Sequence, residues 1–405
     1  WKVFLAALGP GILVMLADTD AGSIVTAAQS GARWGYHLLL MQALLVPALY
    51  IVQELTVRLG IFTGKGHAEL IRERFGPGYA WIAAAALWVT AFGALLTEFS
   101  GIEGAGELFG IPAPVSLSAS ALFVLAIVLS GRHRLFERVA IALGSLEIAF
   151  FIVAYKAHPH AAALATGLLH VPLGNPDYRF LVAANIGAVI MPWMIFYQQS
   201  AIADRRLRAK HYLAARWDTA LGALVTQAIM CAVLIATAAT LGADRSDASL
   251  SGVGDVSRVL APVLGAELGR IVFALGMVGA ALVAAIVVSL AAAWGFGEVT
   301  GRHHSLAHHP IEAPQFCAFF TAAILGAVAV VGFAPDAIEL NIGVEVLNAV
   351  LLPVPLGFLV LLAFRALPSP HRPRGLYACT VVTVAVLTAG LGLYAGISGA
   401  HLLQR

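Results

Sequence analysis

Gly9-Pro-Gly-Ile-Leu-Val-Met-Leu-Ala-Asp18-Thr-Asp20-Ala-Gly22-Ser23-Ile-Val-Thr26 is an apolar run that meets two carboxylates and a Gly-Ser pair, then continues for several turns. A carboxylate at bilayer depth costs roughly 2.5–3.5 kcal/mol even on the lenient insertion scale, so it faces protein or water and has a task there. A helix interrupted at mid-membrane frees backbone carbonyls, which are tolerated only where they line a cavity or bind something. Carboxylates beside free carbonyls at that depth are the makings of a cation site.

The remainder of the chain supplies the membrane context. Its 405 residues are 60% hydrophobic and 11% charged, with mean hydropathy +0.88. Soluble domains carry about 25% charged residues, so the composition reads as an all-α polytopic membrane protein. A span needs about 20 apolar residues, and eleven candidates follow. The first six are Val3–Ala32, His37–Phe62, Tyr79–Gly106, Ala113–Leu129, Leu135–Tyr155 and Phe180–Ile202. The other five are Leu213–Leu241, Arg270–Val299, Phe316–Phe333, Ile342–Phe364 and Leu376–Ile397. The first apolar segment lacks a small-residue cleavage site and holds the acidic break, so it is not read as a signal peptide.

With a cytoplasmic N-terminus, Lys2, Arg58, Lys65, Arg72, Arg74, Arg132, Arg134, Arg138, Arg205, Arg206, Arg208, Lys210, Arg216, Arg302, Arg365, Arg372 and Arg374 lie inside. Arg33, Lys156, Arg179, Arg245, Arg258, Arg270 and Arg405 fall outside. The division is 17 against 7 of the 24 Lys and Arg residues, and its alternation loop by loop supports both the span count and the orientation. The net charge of +2 carries no nucleic-acid signal, because the basic residues are confined to short loops. Cys231, Cys317 and Cys379 lie in separate apolar stretches without a CxxC pair and read as small core residues.

The sixth span repeats the anomaly of the first. Asn185-Ile-Gly187-Ala188-Val-Ile-Met191-Pro192-Trp193 puts Gly and Pro at mid-span, followed by Tyr197-Gln198-Gln199-Ser200. Interrupted helices at spans one and six imply two five-helix repeats of inverted topology with a substrate site between them, the LeuT-type plan. On that reading residues 1–156 form the first repeat, 157–366 the second, and 367–405 an eleventh helix and C-terminus, all within one transport domain. The loops around Ala157–Tyr178 and Ala243–Leu268 are too short for a soluble domain.

These residues resemble the Nramp family of divalent-metal transporters, over most of the chain. The first-helix segment through Gln29-Ser-Gly-Ala-Arg-Trp-Gly35-Tyr36 is similar to the family's first helix, whose central motif is Asp-Pro-Gly-Asn. Gln53-Glu-Leu-Thr-Val-Arg58 through Gly64, with Arg72-Glu-Arg, resembles the second helix and its loop. Gly187-Ala188-Val-Ile-Met191-Pro192-Trp193 resembles the sixth-helix Met-Pro-His motif, and Leu347-Asn348-Ala-Val-Leu-Leu-Pro353 the tenth helix. The resemblance implies a metal site made of Asp20, Ser23, the Ala188 carbonyl and the Met191 sulfur. Departures from the family pattern point to a branch. The motif Asn is Ser23, the motif His is Trp193, and the second sixth-helix His falls on Gln198 or Gln199. A third-helix glutamate expected three residues after Glu98 is Gly101, and Glu345 stands where the family has Gln. Titratable proton carriers are lost and a carboxylate is added, as in the Nramp-related magnesium transporters, whose larger site takes a partly hydrated Mg²⁺ or Mn²⁺ without obligatory proton coupling.

Individual residues carry competing readings. Asp20 is a ligand rather than half of a buried ion pair, because no basic residue lies near the middle of a span. Asp18, two residues away, would point about 200° off on an intact helix; at a break it either lines the pathway with Thr19 or binds through water. Met191 is either a ligand or packing. A thioether favours softer metals, while Mg²⁺ prefers one or two carboxylates plus waters, which suits Asp20, Glu345 and the amides of Gln198 or Gln199 better. Glu98 and Asn348 are candidates for the pathway or for support of the ligands. Glu147 reads equally as a packed, hydrogen-bonded residue, and Trp193 as filler for the space of the missing His. His303, His304, His308 and His309 read as a solvated loop.

The expected function is import of Mg²⁺ or Mn²⁺ by alternating access in the inner membrane of a prokaryote. The metal is substrate, no cofactor is expected, and the partners are the ion and the lipid bilayer, with no obligatory protein partner. The rivals are a proton-coupled Mn²⁺/Fe²⁺ symporter and an amino-acid transporter of the same fold. An enzyme is disfavoured for want of a nucleophile–base pair, a zinc signature or a Walker motif.

Overall fold

The computed structural model describes residues 9–130, 133–241, 250, 252–302, 313–333 and 337–399. The His303, His304, His308 and His309 cluster lies outside them, as do Lys2, Arg132, Arg245, Arg405 and the start of the first span. Among the described residues the architecture is entirely helical.

The first span is the pair α1 (Pro10–Leu16) and α2 (Ala21–Trp34), bent by 53° at the break. Then come α3 (Leu39–Thr63), a short α4 (His67–Phe75), α5 (Pro77–Glu107) and α6 (Ala113–Leu129). The fifth span is α7 (His133–Gly144) and α8 (Ala149–Lys156), joined by a 3₁₀ turn at Ser145–Ile148. After a short α9 (Ala161–Leu169), the sixth span is α10 (Pro176–Val189) plus α11 (Pro192–Asp204). The seventh is α12 (Tyr212–Leu241), followed by a short α13 (Val253–Leu260) and the 35-residue α14 (Ala266–Thr300). The chain ends with α15 (Pro314–Phe333), the pair α16 (Ala337–Leu351) and α17 (Pro353–Arg365), and α18 (Gly375–Gly399). Among the described residues nine elements are long and apolar enough to cross a membrane; the bent first pair makes ten, and the 17-residue α6 is a shorter eleventh. Helices α4, α9 and α13 occupy stretches that the sequence reading leaves as loops.

Each interruption has a local cause. Asp20 is extended and caps α2, a role Asp performs well because its carboxylate accepts an otherwise unpaired N–H of the first turn. In the sixth span Pro192 offers no N–H and forces the preceding residue away from the helical region, so Met191 is extended at φ −85°, ψ 141°. In the tenth span, expected to be continuous, Pro353 removes one main-chain bond. Leu352 keeps its bond to the Asn348 carbonyl at 2.9 Å, so the helix is jogged rather than opened there.

The core is built around the interrupted elements. Helix α12 packs on α1, α2 and α3; α10 on α16 and α18; and α14 runs along α5. The paired sixth-span helices are almost wholly buried, whereas α18 is largely exposed on the outside. That outer helix is nonetheless fastened. The buried Glu54 carboxylate accepts from the Tyr377 and Tyr212 hydroxyls and pairs with Arg58 at 2.7 Å.

Helix α1 is fastened from the seventh span. Asp218 accepts from Gly11 N–H at 2.8 Å and Gly9 N–H at 3.3 Å. Hydrogen bonds to a charged group contribute about 1.5–3 kcal/mol. Asp218→Ala is therefore expected to lower the melting temperature of the purified protein by the equivalent of about 1–3 kcal/mol. Asp218→Asn, which keeps an acceptor oxygen, is expected to recover most of it in the same thermal-shift measurement.

Candidate cation site

The break in the first span places the central carboxylate. Helix α1 ends at Leu16 with Ala17 as its C-cap, and Asp18 N–H reaches back only to the Met15 carbonyl at 3.2 Å. One oxygen of Asp20, Oδ1, accepts Ser23 N–H at 2.7 Å. The other, Oδ2, is buried and meets no N–H or hydroxyl donor, although the Glu98 carboxyl lies within hydrogen-bonding range of the Asp20 carboxyl. The Ser23 hydroxyl donates to the Ala188 carbonyl at 2.9 Å. Asp20, Ser23 and Ala188 are therefore brought together by the facing ends of the two interrupted spans.

Two further spans complete the surroundings. Glu345 on α16 is buried, and its Oε2 accepts from Asn348 Nδ2 at 3.0 Å. Its Oε1 and the Asn348 Oδ1 have no protein partner. A methyl group added at Gly22 would touch Glu345 Oε1, so this carboxylate lies directly against the start of α2. Gly187 lets the two backbones approach on the other side, since a Cβ there would collide with the Glu345 carbonyl oxygen. From α5, Glu98 accepts Ala21 N–H at 3.2 Å, and its carboxyl group lies within interaction range of Asp20.

The remaining predicted residues are placed differently. The Met191 sulfur accepts the Trp193 indole N–H at 2.9 Å, so Trp193 is packed and hydrogen-bonded, and the sulfur is turned to it. Gln198 and Gln199, candidates for the pathway or for support of the ligands, make their side-chain bonds to neighbouring elements. Gln198 accepts from Thr56 at 2.9 Å and donates to Thr219 at 2.7 Å, tying α11 to α3 and α12. Gln199 meets His67 Nδ1 at 2.9 Å and donates to the Lys65 carbonyl at 3.1 Å. Adjacent helical positions point about 100° apart, and here both directions are taken by neighbours.

Asp18 and Thr19 make their side-chain hydrogen bonds to the fifth and seventh spans, with Asp18 still in electrostatic range of Asp20 and Glu345. Thr19 donates to Glu147 Oε2 at 2.5 Å and Thr226 donates to Asp18 Oδ2 at 3.5 Å. Asp18, Asp20, Glu98, Glu147 and Glu345 are each at most 1% exposed. Among the described residues none of them pairs with a Lys, Arg or His. Nor do three His, Cys, Asp or Glu side chains converge there into an ion cage by themselves. A cation held at Asp20 would draw on the Ser23 hydroxyl, main-chain carbonyls and retained water, which suits a hard ion that dehydrates reluctantly.

Two residues missed by the sequence reading join α4 to its neighbours. Glu298 near the end of α14 accepts Ala68 N–H at 2.8 Å and the Ser200 hydroxyl at 2.5 Å, joining α4 to α11. A carboxylate near a helix C-terminus opposes the macrodipole, and that misfit was the available signal that it serves another element. His67 is buried between α4 and α11, and burial pushes it down to about 4, so it is neutral at physiological pH.

The arrangement, a bundle built on two interrupted helices that face one another, defines a multi-pass membrane protein of LeuT type. A manganese transporter from Eremococcus coleocola superposes with a TM-score of 0.79 at 20% identity, covering 99% of this chain and 88% of that one. MhsT, solved with L-phenylalanine, gives a TM-score of 0.63 at 16% identity, covering 96% and 98%. The family model for natural resistance-associated macrophage protein-like sequences, Nramp, matches residues 11–398, and the chain belongs to that family. In sequence it is similar to the divalent metal cation transporter MntH of Klebsiella pneumoniae strain 342, with 29% identity over 300 residues, 72% of this chain and 71% of that protein.

Proposed function

We propose that this protein is a secondary transporter, not an enzyme, that carries divalent metal cations across a prokaryotic inner membrane by alternating access. The observation that carries the reading is the set of unpartnered acceptors around the Ser23–Ala188 contact: Asp20 Oδ2, Glu345 Oε1 and Asn348 Oδ1. Buried polar groups are normally satisfied, and a bound dication would satisfy these acceptor oxygens together, where a proton or a water would satisfy them one at a time. The names of the relatives, a divalent metal cation transporter and a manganese transporter, support the same class. In this reading Asp20, Ser23, the Ala188 carbonyl and Glu345 surround the ion, with Asn348 and Glu98 supporting them. Met191 enters the ligand set only if its sulfur leaves Trp193. The repeats at 1–156 and 157–366, with a cytoplasmic N-terminus, belong to the same proposal.

The donor set favours Mg²⁺ and Mn²⁺. Both take oxygen ligands, and Mg²⁺ binds through one or two carboxylates while keeping several waters. An inside-negative potential supplies about 2.3 kcal/mol per charge per 100 mV, which drives a dication inward without a second ion. The expected result in proteoliposomes is Mn²⁺ uptake that grows with an imposed potential, is competed by millimolar Mg²⁺ and not by Ca²⁺, and brings no matching acidification of the lumen. Uptake untouched by millimolar Mg²⁺ would place the protein with softer-metal carriers.

A second reading, proton-coupled Mn²⁺/Fe²⁺ symport, is favoured by one observation: Glu98 lies beside Asp20 with its carboxyl on Ala21 N–H. Metal-dependent acidification that Glu98→Gln eliminates would establish it. Gln198 and Gln199 offer no titratable relay, and neutral His67 is engaged with Gln199.

A further inference from the structure

Five buried carboxylates surround the first-span break, and the site above uses only three. Asp20, Glu98 and Glu345 belong with α2, α5, α10 and α16. Asp18 and Glu147 are joined through Thr226 and Thr19 to α12 and the 3₁₀ turn of the fifth span, while Asp18 also stays within electrostatic range of Asp20 and Glu345.

Their hydrogen bonds do not balance. Thr226 reaches Asp18 Oδ2 at 3.5 Å, the outer limit of a hydrogen bond. The Thr19 and Thr226 hydroxyl oxygens are 3.3 Å apart, and Thr19 lies 2.5 Å from Glu147 Oε2. Two hydroxyls supply two hydrogens to four carboxylate oxygens. Asp18 Oδ1 and Glu147 Oε1 are accordingly left without a partner, in side chains that are 1% and 0% exposed. Among the described residues no Lys, Arg or His bonds to either carboxylate. A buried carboxylate left uncompensated costs several kcal/mol or more, and here two share one pocket of hydroxyls.

We propose that Asp18, Thr19, Glu147 and Thr226 form a second cation subsite, distinct from that at Asp20, which takes a hard divalent cation retaining part of its water. Two carboxylates match the charge of one dication, and hydroxyl and carboxylate oxygens are the ligands that Mg²⁺ and Mn²⁺ prefer. Asp18 is two residues from Asp20 on the same break, so an ion leaving one carboxylate is within reach of the other. The subsite thus deepens, and rests on, the reading of the protein as a divalent-cation carrier.

The test is equilibrium Mn²⁺ binding to the purified full-length protein, by calorimetry and by the electron paramagnetic resonance of free Mn²⁺. Two Mn²⁺ per chain are expected for wild type, one for Glu147→Gln, one for Asp20→Asn and none for the double variant. Glu147→Gln keeps an acceptor for Thr19, and a thermal melt reports whether it folds. Thr226→Val, which leaves both carboxylates in place, is expected to weaken one class of site about tenfold or more. A single wild-type Mn²⁺ that Glu147→Gln and Thr226→Val leave unchanged overturns the subsite, because the two carboxylates then hold protons instead. Two sites of which Glu147→Gln removes one, with Asp20→Asn removing neither, support the subsite and defeat the assignment of Asp20.

Discussion

Asp20→Asn is expected to reduce Mn²⁺ uptake by the reconstituted protein to the level of protein-free liposomes while the protein still elutes as a folded species. The amide oxygen of Asn keeps the cap on Ser23 N–H, now made by Asp20 Oδ1 at 2.7 Å, because Asn and Asp are nearly equal as helix caps. What disappears is the charge of the buried carboxylate, whose second oxygen meets no N–H or hydroxyl donor. Asp20→Ala removes the cap as well, at about 0.5–2 kcal/mol, so it should show the same loss of transport with a lower melting temperature. Separating charge from cap in this way distinguishes a ligand from a residue that merely stabilises the break. Wild-type uptake by Asp20→Asn would remove this carboxylate from the site.

Gly187→Ala is expected to cost at least about tenfold in uptake, roughly 1.4 kcal/mol, and to destabilise the protein. The added methyl meets the Glu345 carbonyl oxygen and lies 2.9 Å from Ala349 N, both backbone atoms of α16 that cannot rotate away. Overpacking of this kind costs about 1–3 kcal/mol, and here it also moves the helix that carries Glu345. Gly357→Ala serves as the control, since nothing lies within 4 Å of a Cβ there. Equal behaviour of the two variants in uptake and thermal melting would show that the close contact of α10 with α16 is not needed.

The interruptions were legible because they are local events. Asp18-Thr-Asp20 with Gly22-Ser23, and Met191-Pro192, carry capping and proline chemistry that acts within a turn of the residue concerned. Span positions were legible from apolar length, and most ends fall within a few residues of those observed. Pairings across the bundle were not. Nothing in the spacing of Gln198 and Gln199 reveals that Thr56, Thr219, His67 and the Lys65 carbonyl will meet their amides. Helix α4 escaped notice because nine residues rich in charge give no apolar run. Its placement depends on Glu298, some 230 residues away. The contact of Ser23 with Ala188 was suggested only by the resemblance of both motifs to one family, and Glu147 stayed ambiguous because its partners sit on two other spans.

The central claim is that a divalent cation binds at Asp20, and the most direct measurement is the anomalous diffraction of Mn²⁺ in crystals of the full-length protein. A peak at about 2.0–2.3 Å from an Asp20 carboxylate oxygen, with the Ala188 carbonyl and Glu345 facing it, is the predicted result. Bound Mn²⁺ that makes no contact with Asp20, in crystals where transport-competent protein was used, would contradict it.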